Sequence, residues 1–290
     1  MTQPNLLNRI KSQPILSDGG MGTQLMQAGL PAGACGVAWN LDNPDAVKGV
    51  HQRYRDAGCQ CITTNTFQGS REVLAQHGQA DRTAELNLAA AQVARDAIAS
   101  ADGDSADQPG WVLGDCGPFG GFLEPLGTTT PDELLDIFTE QFNALHRGGA
   151  DVALIETMSD PGEVAVAIKA AKAVADWPVI ATYAFQKSGD RFTTMMGIGV
   201  AELVQQTIDA GADVVGANCG TELSLDDYRE LAKQLVAAAG DTPVILQPNA
   251  GSPVMENGEL VYKATPDDMA ALARDLADIG VRIIGGCCGT

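Results

Sequence analysis

Short, nearly continuous apolar runs alternate along this chain with longer segments whose apolar positions recur at helical spacing. The runs are Pro14-Ile15-Leu16-Ser17-Asp18, Gln60-Cys61-Ile62-Thr63-Thr64, Trp111-Val112-Leu113-Gly114-Asp115, Val152-Ala153-Leu154-Ile155-Glu156, Pro178-Val179-Ile180-Ala181-Thr182-Tyr183, Asp213-Val214-Val215-Gly216-Ala217, Pro243-Val244-Ile245-Leu246-Gln247 and Arg282-Ile283-Ile284-Gly285. Apolar on successive positions, they suit strands buried on both faces. Between them, helical periodicity covers residues 45–56, 82–100, 132–147, 162–174, 200–210, 225–239 and 266–278. Thr130-Pro131-Asp132-Glu133 and Thr265-Pro266-Asp267-Asp268 each place Thr at a cap, Pro in the first turn and acids at the positive end of the dipole. Gly58, Gly149 and Gly211 follow helical segments and precede apolar runs, as α-to-β turns require.

Eight strands alternating with helices predict an α/β fold, a (β/α)8 TIM barrel, as a single domain over residues 1–290. The rival is an open doubly wound sheet, but no Gly-x-Gly-x-x-Gly follows a strand. A full barrel carries an eighth helix after its eighth strand, and here the sequence stops at Thr290. Either the chain is truncated, or the segment Asn5–Lys11 or a neighbouring subunit, as in a homo-oligomer, covers that sector.

Charge narrows the function classes. The chain carries a net charge of −19, the opposite balance to a nucleic-acid binder, so no nucleic acid is expected. The acidity reads as a solvated surface or a salty habitat. No apolar run approaches the ~20 residues of a membrane span, and Thr2 to Ile15 is too polar for a signal peptide. Seven cysteines in such a chain predict a reduced, cytoplasmic compartment, where thiols bind metal or react rather than pair.

Three of those thiols stand at strand ends. Cys219 follows the sixth run, and Cys287 and Cys288 follow the eighth on a glycine hinge, Gly285-Gly286-Cys287-Cys288-Gly289-Thr290. Three thiolates at one barrel mouth suit a zinc site with one open position; the alternative is small buried hydrophobes. In a (β/α)8 barrel the chemistry gathers at the carboxyl ends of the strands. Asp18 and Glu156 end the first and fourth runs there and suit an ammonium anchor, against the alternative of loop carboxylates or caps. Cys35, Cys59, Cys61 and Cys116 read as packing residues, Cys116 being nearest a strand end. His51, His77 and His146 lie in or beside helical stretches and read as surface or packing residues.

Asp18-Gly19-Gly20-Met21-Gly22-Thr23, Thr64-Asn65-Thr66-Phe67, Ile155-Glu156-Thr157, Gly216-Ala217-Asn218-Cys219 and the terminal Gly285–Thr290 motif together resemble the zinc-dependent homocysteine S-methyltransferase family, in order, from about residue 15 to the end. That family includes the homocysteine-binding module of cobalamin-dependent methionine synthase and the betaine–homocysteine methyltransferases. The resemblance implies that Cys219, Cys287 and Cys288 bind Zn2+ and form the catalytic centre. It implies that Asp18 and Glu156 hold the homocysteine amino group, and that Gly19, neighbouring backbone N–H groups and Thr64 hold its carboxylate. Homocysteine as fourth ligand would release its thiol proton to solvent on binding the metal, and the thiolate would attack a methyl group, giving methionine.

The methyl donor divides the family. A betaine site needs an aromatic cage, yet only 5% of residues are aromatic. Gln68 and Thr157 stand where the betaine branch has aromatics, and Trp39 is the one aromatic expected near the mouth, the alternative being that it simply packs under the strand-one loop. Thr64-Asn65-Thr66-Phe67 resembles the methionine-synthase module instead, which implies methylcobalamin carried on a partner corrinoid protein. Betaine or S-methylmethionine is the enzymatic alternative; a structural zinc clip or a redox pair at Cys287 and Cys288 is the non-enzymatic one.

Overall fold

The structure, a computed structural model, describes residues 5–100, 109–256 and 259–290. All eight expected strands form, and all join one parallel sheet. In chain order they are β1 (Ile15–Leu16), β2 (Cys61–Thr63), β3 (Trp111–Cys116), β4 (Val152–Met158), β5 (Val179–Tyr183), β6 (Val214–Asn218), β7 (Val244–Gln247) and β8 (Ile283–Ile284). The sheet runs β1-β8-β7-β6-β5-β4-β3-β2. Its two ends meet: Ser17 and Cys61 form a parallel bridge, with Gln60 N–H donating to Leu16 O and Asp18 N–H to Cys61 O. The expected barrel is therefore present, with its expected helices around it.

The helices begin and end where their chemistry directs. Thr130, Ser224 and Thr265 each close a capping box with Glu133, Asp227 and Asp268. Gly149 and Gly280 adopt left-handed geometry just past Pro131–Gly148 and Pro266–Ile279. The outer faces of the strands pack against these helices in the largest apolar cluster, built around Phe138, Phe142, Leu145, Ile168 and Leu203.

The barrel interior is layered. Ile15, Cys61, Trp111, Leu113, Val152, Leu154, Ile180, Val214, Ile245 and Ile283 form one buried cluster. Two residues further along the strands stand Thr63, Asp115, Glu156, Thr182 and Gln247, because side chains alternate with period two. The apolar floor thus gives way to a polar layer at the carboxyl ends.

One expectation is corrected here, and one alternative is decided. The Asn5–Lys11 segment does not cover the flank beside β8. It forms the helix Leu6–Ser12, and Leu6 and Ile10 join the interior cluster, so it plugs the barrel at the strands' starting end. Leu16, on the outer face of β1, stays 44% exposed. Of the two places expected for Trp39 the structure has the second: it packs with Leu25, Leu30, Val47 and Val50 under the segment after β1 and does not line the cavity at the mouth.

Two hairpins lie outside the barrel pattern. Gln186–Ser188 pairs with Arg191–Thr193, and Val254–Glu256 with Glu259–Val261, both antiparallel. No described helix is long and apolar enough to cross a membrane.

Candidate active site

The carboxyl ends of the strands enclose a cavity of about 370 Å3. Gly19, Thr64, Glu156, Cys219, Cys287 and Cys288 all line it. Residues separated by up to 269 positions thus meet at one mouth because the barrel brings their strand ends together.

The three thiols converge. Their Sγ atoms lie within 4.8 Å of one another, and no fourth His, Cys, Asp or Glu joins the group among the described residues. Backbone bonds from the strand ends set their positions. Cys219 N–H donates to Gln247 O at 3.1 Å and Cys287 N–H to Pro248 O at 2.8 Å. Asn249 ties the two loops together: its Oδ1 accepts from Cys288 N–H at 3.0 Å, while its Nδ2 approaches Cys219 Sγ at 3.6 Å. The buried Tyr228 hydroxyl donates to Cys219 O at 2.5 Å and accepts from Asn249 N–H at 3.2 Å. Donation from the Cys287 and Cys288 thiols draws the Cys219 thiol far below its ordinary range. The same contacts raise the other two.

Glycines make this loop possible. Gly289 has a φ of 84°, and a Cβ there would lie 2.2 Å from Tyr262 Cγ. A Cβ on Gly20 would lie 2.5 Å from Cys287 O, so the segment after β1 can press directly against the thiol loop. Thr290 fastens the two: its Oγ1 accepts from Gly20 N–H at 3.1 Å and donates to Cys287 O at 2.7 Å.

Glu156 stands at an irregularity. The register of β4 against β5 shifts between Ile155 and Met158, and within it Thr157 takes a φ of 59°. Cys219 takes a φ of 52°. Left-handed geometry in non-glycine residues costs about 1–3 kcal/mol each and gathers at functional sites. Asn218, 1% exposed, braces the turn at Thr157. Its Oδ1 accepts from Thr157 N–H at 2.8 Å and Thr182 Oγ1 at 2.7 Å. Its Nδ2 donates to Thr157 Oγ1 at 2.6 Å and to Glu156 Oε2 at 3.4 Å.

Asp18 and Thr64 are already engaged by the protein. Asp18 is 3% exposed; its Oδ2 accepts from Thr63 N–H at 2.6 Å, and its Oδ1 from Thr63 Oγ1 at 2.7 Å and Ser17 Oγ at 3.2 Å. Burial pushes its pKa up to about 6 against the pull of those bonds. Asp18 sits directly behind the cavity wall formed by Gly19 and Thr63. Thr64 Oγ1 accepts from Asp115 N–H at 2.9 Å and pairs with Thr66 Oγ1 at 2.6 Å. Thr66 Oγ1 itself donates to Asp115 O at 2.7 Å, so the Thr64 proton points to Thr66.

Sequence reasoning missed Asp115, Asn218, Asn249 and Gln247. Asp115 was legible by the criterion that found Glu156, an acid closing an apolar run. Burial first, and the neighbouring Glu156 charge second, raise the Asp115 carboxyl well above its usual range; burial likewise raises Glu156. Phe67, not Trp39, is the aromatic side chain that lines the cavity among the described residues.

His51 is fully buried, and His146 stacks edge-on against Trp177 at 5.1 Å; the histidines do not line the cavity. Cys59, Cys61 and Cys116 are buried in apolar clusters, and Cys35 is half-buried against Val37, Leu74 and Leu86.

Known proteins share this chain's sequence pattern and fold. The family described as homocysteine S-methyltransferase matches residues 15–290. Methionine synthase of Mycobacterium tuberculosis is 32% identical over 301 aligned positions, which take in 99% of this chain and 24% of that protein. The Mycobacterium leprae methionine synthase is 31% identical over the same span. This chain therefore spans about a quarter of the curated relatives it matches. The metallated form of the homocysteine methyltransferase MmuM from Escherichia coli shares the fold, with a TM-score of 0.78 at 21% identity over 98% of this chain and 94% of that one.

Proposed function

Because the chain belongs to the homocysteine S-methyltransferase family, we propose that it methylates homocysteine to methionine at the cavity bounded by Cys219, Cys287, Cys288 and Glu156. The observation that carries this reading is the convergence of three thiols beside the half-buried Glu156 carboxylate in one cavity.

The thiol trio fits zinc. Tetrahedral Zn–S bonds of about 2.3 Å set sulfurs about 3.8 Å apart, within the observed limit of 4.8 Å. Three protein ligands leave one position for a substrate, as in catalytic rather than structural sites. Zinc bound there would act as a Lewis acid that lowers the pKa of a substrate thiol, ordinarily about 8.5.

The remaining work falls to the chain's own residues. Glu156, oriented by Asn218, faces the cavity and would accept from the substrate ammonium, with the Asp18 charge behind the wall adding to the field. Gly19, Gly20, Met21 and Gly22 line the opposite side. The helix Met21–Gln27 begins there without a side-chain cap, and its first N–H groups have no intrahelical acceptor; they suit the substrate carboxylate together with Gly19. Thr64 contributes by fixing Asp115 and the β2 end. The apolar Met21, Leu25 and Phe67 exclude water from the substrate's methylenes.

For the donor, the reading is a methylcorrinoid carried on a partner protein. The methionine-synthase-like Thr64-Asn65-Thr66-Phe67 motif supports it, as does a cavity lined by one aromatic where a betaine cage needs several. The test is a methyl-transfer assay with homocysteine and methylcobalamin, a methylated corrinoid protein, betaine, S-methylmethionine or methyl-folate. Methionine should form slowly from free methylcobalamin, faster from the corrinoid protein, and not from betaine. Robust turnover with betaine alone would overturn the donor reading.

A further inference from the structure

We propose that Asp115 is a specificity-determining residue, forming with Glu156 a two-carboxylate seat that selects thiols carrying a primary ammonium group. The inference deepens the reading of this cavity as a homocysteine site and rests on it.

The main chain of Asp115 is fully occupied, while its side chain is not. Its N–H donates to Thr64 Oγ1 at 2.9 Å. Its carbonyl accepts from Thr66 Oγ1 at 2.7 Å and Gln141 Nε2 at 3.3 Å. The carboxyl, by contrast, lines the cavity, and its Oδ1 is buried with no donor from the protein. Leaving a buried acceptor bare costs about 1–3 kcal/mol. Such a group, 1% exposed and facing a cavity, calls for a donor from a ligand.

The other groups around the mouth do not fill this role. Asp18 has both oxygens taken by Thr63 and Ser17. Glu163 accepts from Phe119 N–H at 2.8 Å, away from the cavity. Gln247 also leaves Oε1 bare in the cavity wall. An amide, however, can turn to present its NH2 instead, whereas a carboxylate only accepts.

Asp115 ends β3 and Glu156 ends the adjacent β4, paired in register through Leu113–Cys116 and Val152–Ile155. Their carboxyls lie within hydrogen-bonding reach of one another. Two carboxyls within hydrogen-bonding reach of one another, Asp115 buried and Glu156 half-buried at the cavity wall, resist ionising together, so in the absence of a cation they share one proton. An ammonium brings three donors and a positive charge. Seated between Glu156 and Asp115, it satisfies Oδ1 and replaces the shared proton, which leaves to solvent. A thiol without the amine leaves the pair protonated and Oδ1 bare; an acylated or quaternary amine cannot supply the donors.

The test is calorimetric titration of the protein with homocysteine and with 4-sulfanylbutanoate, the same thiol acid without its amino group. Asp115→Asn keeps the main-chain bonds and removes the charge. It should weaken homocysteine binding by about 10- to 100-fold and leave 4-sulfanylbutanoate within about twofold, so that the preference for the amine collapses. A residue with a purely structural role would weaken both ligands alike. On the unmodified protein, titrations in buffers of different ionisation enthalpy should show homocysteine releasing one proton more than 4-sulfanylbutanoate; this count decides the matter even where Asp115→Asn does not fold. If homocysteine binds and neither the extra proton nor the lost preference is seen, Asp115 has no part in selection. If the unmodified protein binds neither ligand, the homocysteine reading itself has failed, and this inference with it.

Discussion

Asn218 is the side chain on which the geometry of the site turns, and Asn218→Ala tests that directly. Its amide makes four bonds: two accepted, from Thr157 N–H and Thr182 Oγ1, and two donated, to Thr157 Oγ1 and Glu156 Oε2. The hydroxyls of Thr182 and Thr157 can rotate towards other partners, so their loss is cheap. The Thr157 N–H cannot, because its residue is fixed at a φ of 59° in the register shift of β4. An orphaned buried N–H costs about 1–3 kcal/mol, and the released strain of a left-handed threonine returns about 1–2 kcal/mol if the turn relaxes. Adding about 1 kcal/mol for the lost Thr182 bond, the net destabilisation should be about 1.5 kcal/mol. At about 2–4 °C per kcal/mol for a chain of this size, Tm should fall by roughly 3–6 °C. Relaxation of the turn also frees Glu156, so homocysteine affinity measured by calorimetry should drop about tenfold while metal content stays unchanged. A fall in Tm with homocysteine affinity intact would show that Asn218 braces the barrel but does not orient Glu156.

Two further outcomes follow from the same geometry. Cys219→Ala should lose bound zinc and methyl transfer together, as read by metal analysis and turnover; stoichiometric zinc in that variant would refute the ligand set. Glu163, 6% exposed, has its carboxyl pushed up to about 7 by burial, against the pull of the Phe119 N–H. A folded-state value above the unfolded one makes the native state hold the proton more tightly, so stability is greatest below about 4.5 and declines as pH rises to about 7, by as much as about 3 kcal/mol. Glu163→Gln should reduce the slope of the Tm–pH profile over that window, leaving the part contributed by the raised Asp18, Asp115 and Glu156 carboxyls, and an unchanged profile would refute the assignment.

The barrel was legible because parallel strands buried on both faces need long apolar runs, and all eight such runs became strands of one sheet. The two hairpins were not read, although each has a turn signal: Ser188-Gly189-Asp190 in one, and Asn257-Gly258 between Val254-Met255-Glu256 and Glu259-Leu260-Val261 in the other. Their strands are three residues each, too short to show the apolar continuity that betrayed the barrel. The Leu6–Ser12 plug was hidden for a different reason. Its two buried positions, Leu6 and Ile10, give the right spacing for one helical face, but nothing local tells whether that face closes the bottom of a barrel or its side.

The same continuity that revealed the strands concealed which of their terminal acids face inward. A run apolar at every position has no visible alternation, so Asp18, Asp115 and Glu156 looked equivalent at the ends of three strands. Closure of the barrel separates them. Trp111 and Leu113 point inward, hence Asp115 does; Val152 and Leu154 point inward, hence Glu156 does. Asp18 stands three residues beyond the inward Ile15 and so falls out of phase. Its carboxylate meets Thr63 across the β1–β2 closure instead of the cavity. The phase difference divides the labour at the mouth: Asp18 joins the barrel's two ends and lends its charge from behind the wall. Asp115 and Glu156, adjacent and in phase, are left to share a proton until a ligand brings an ammonium group.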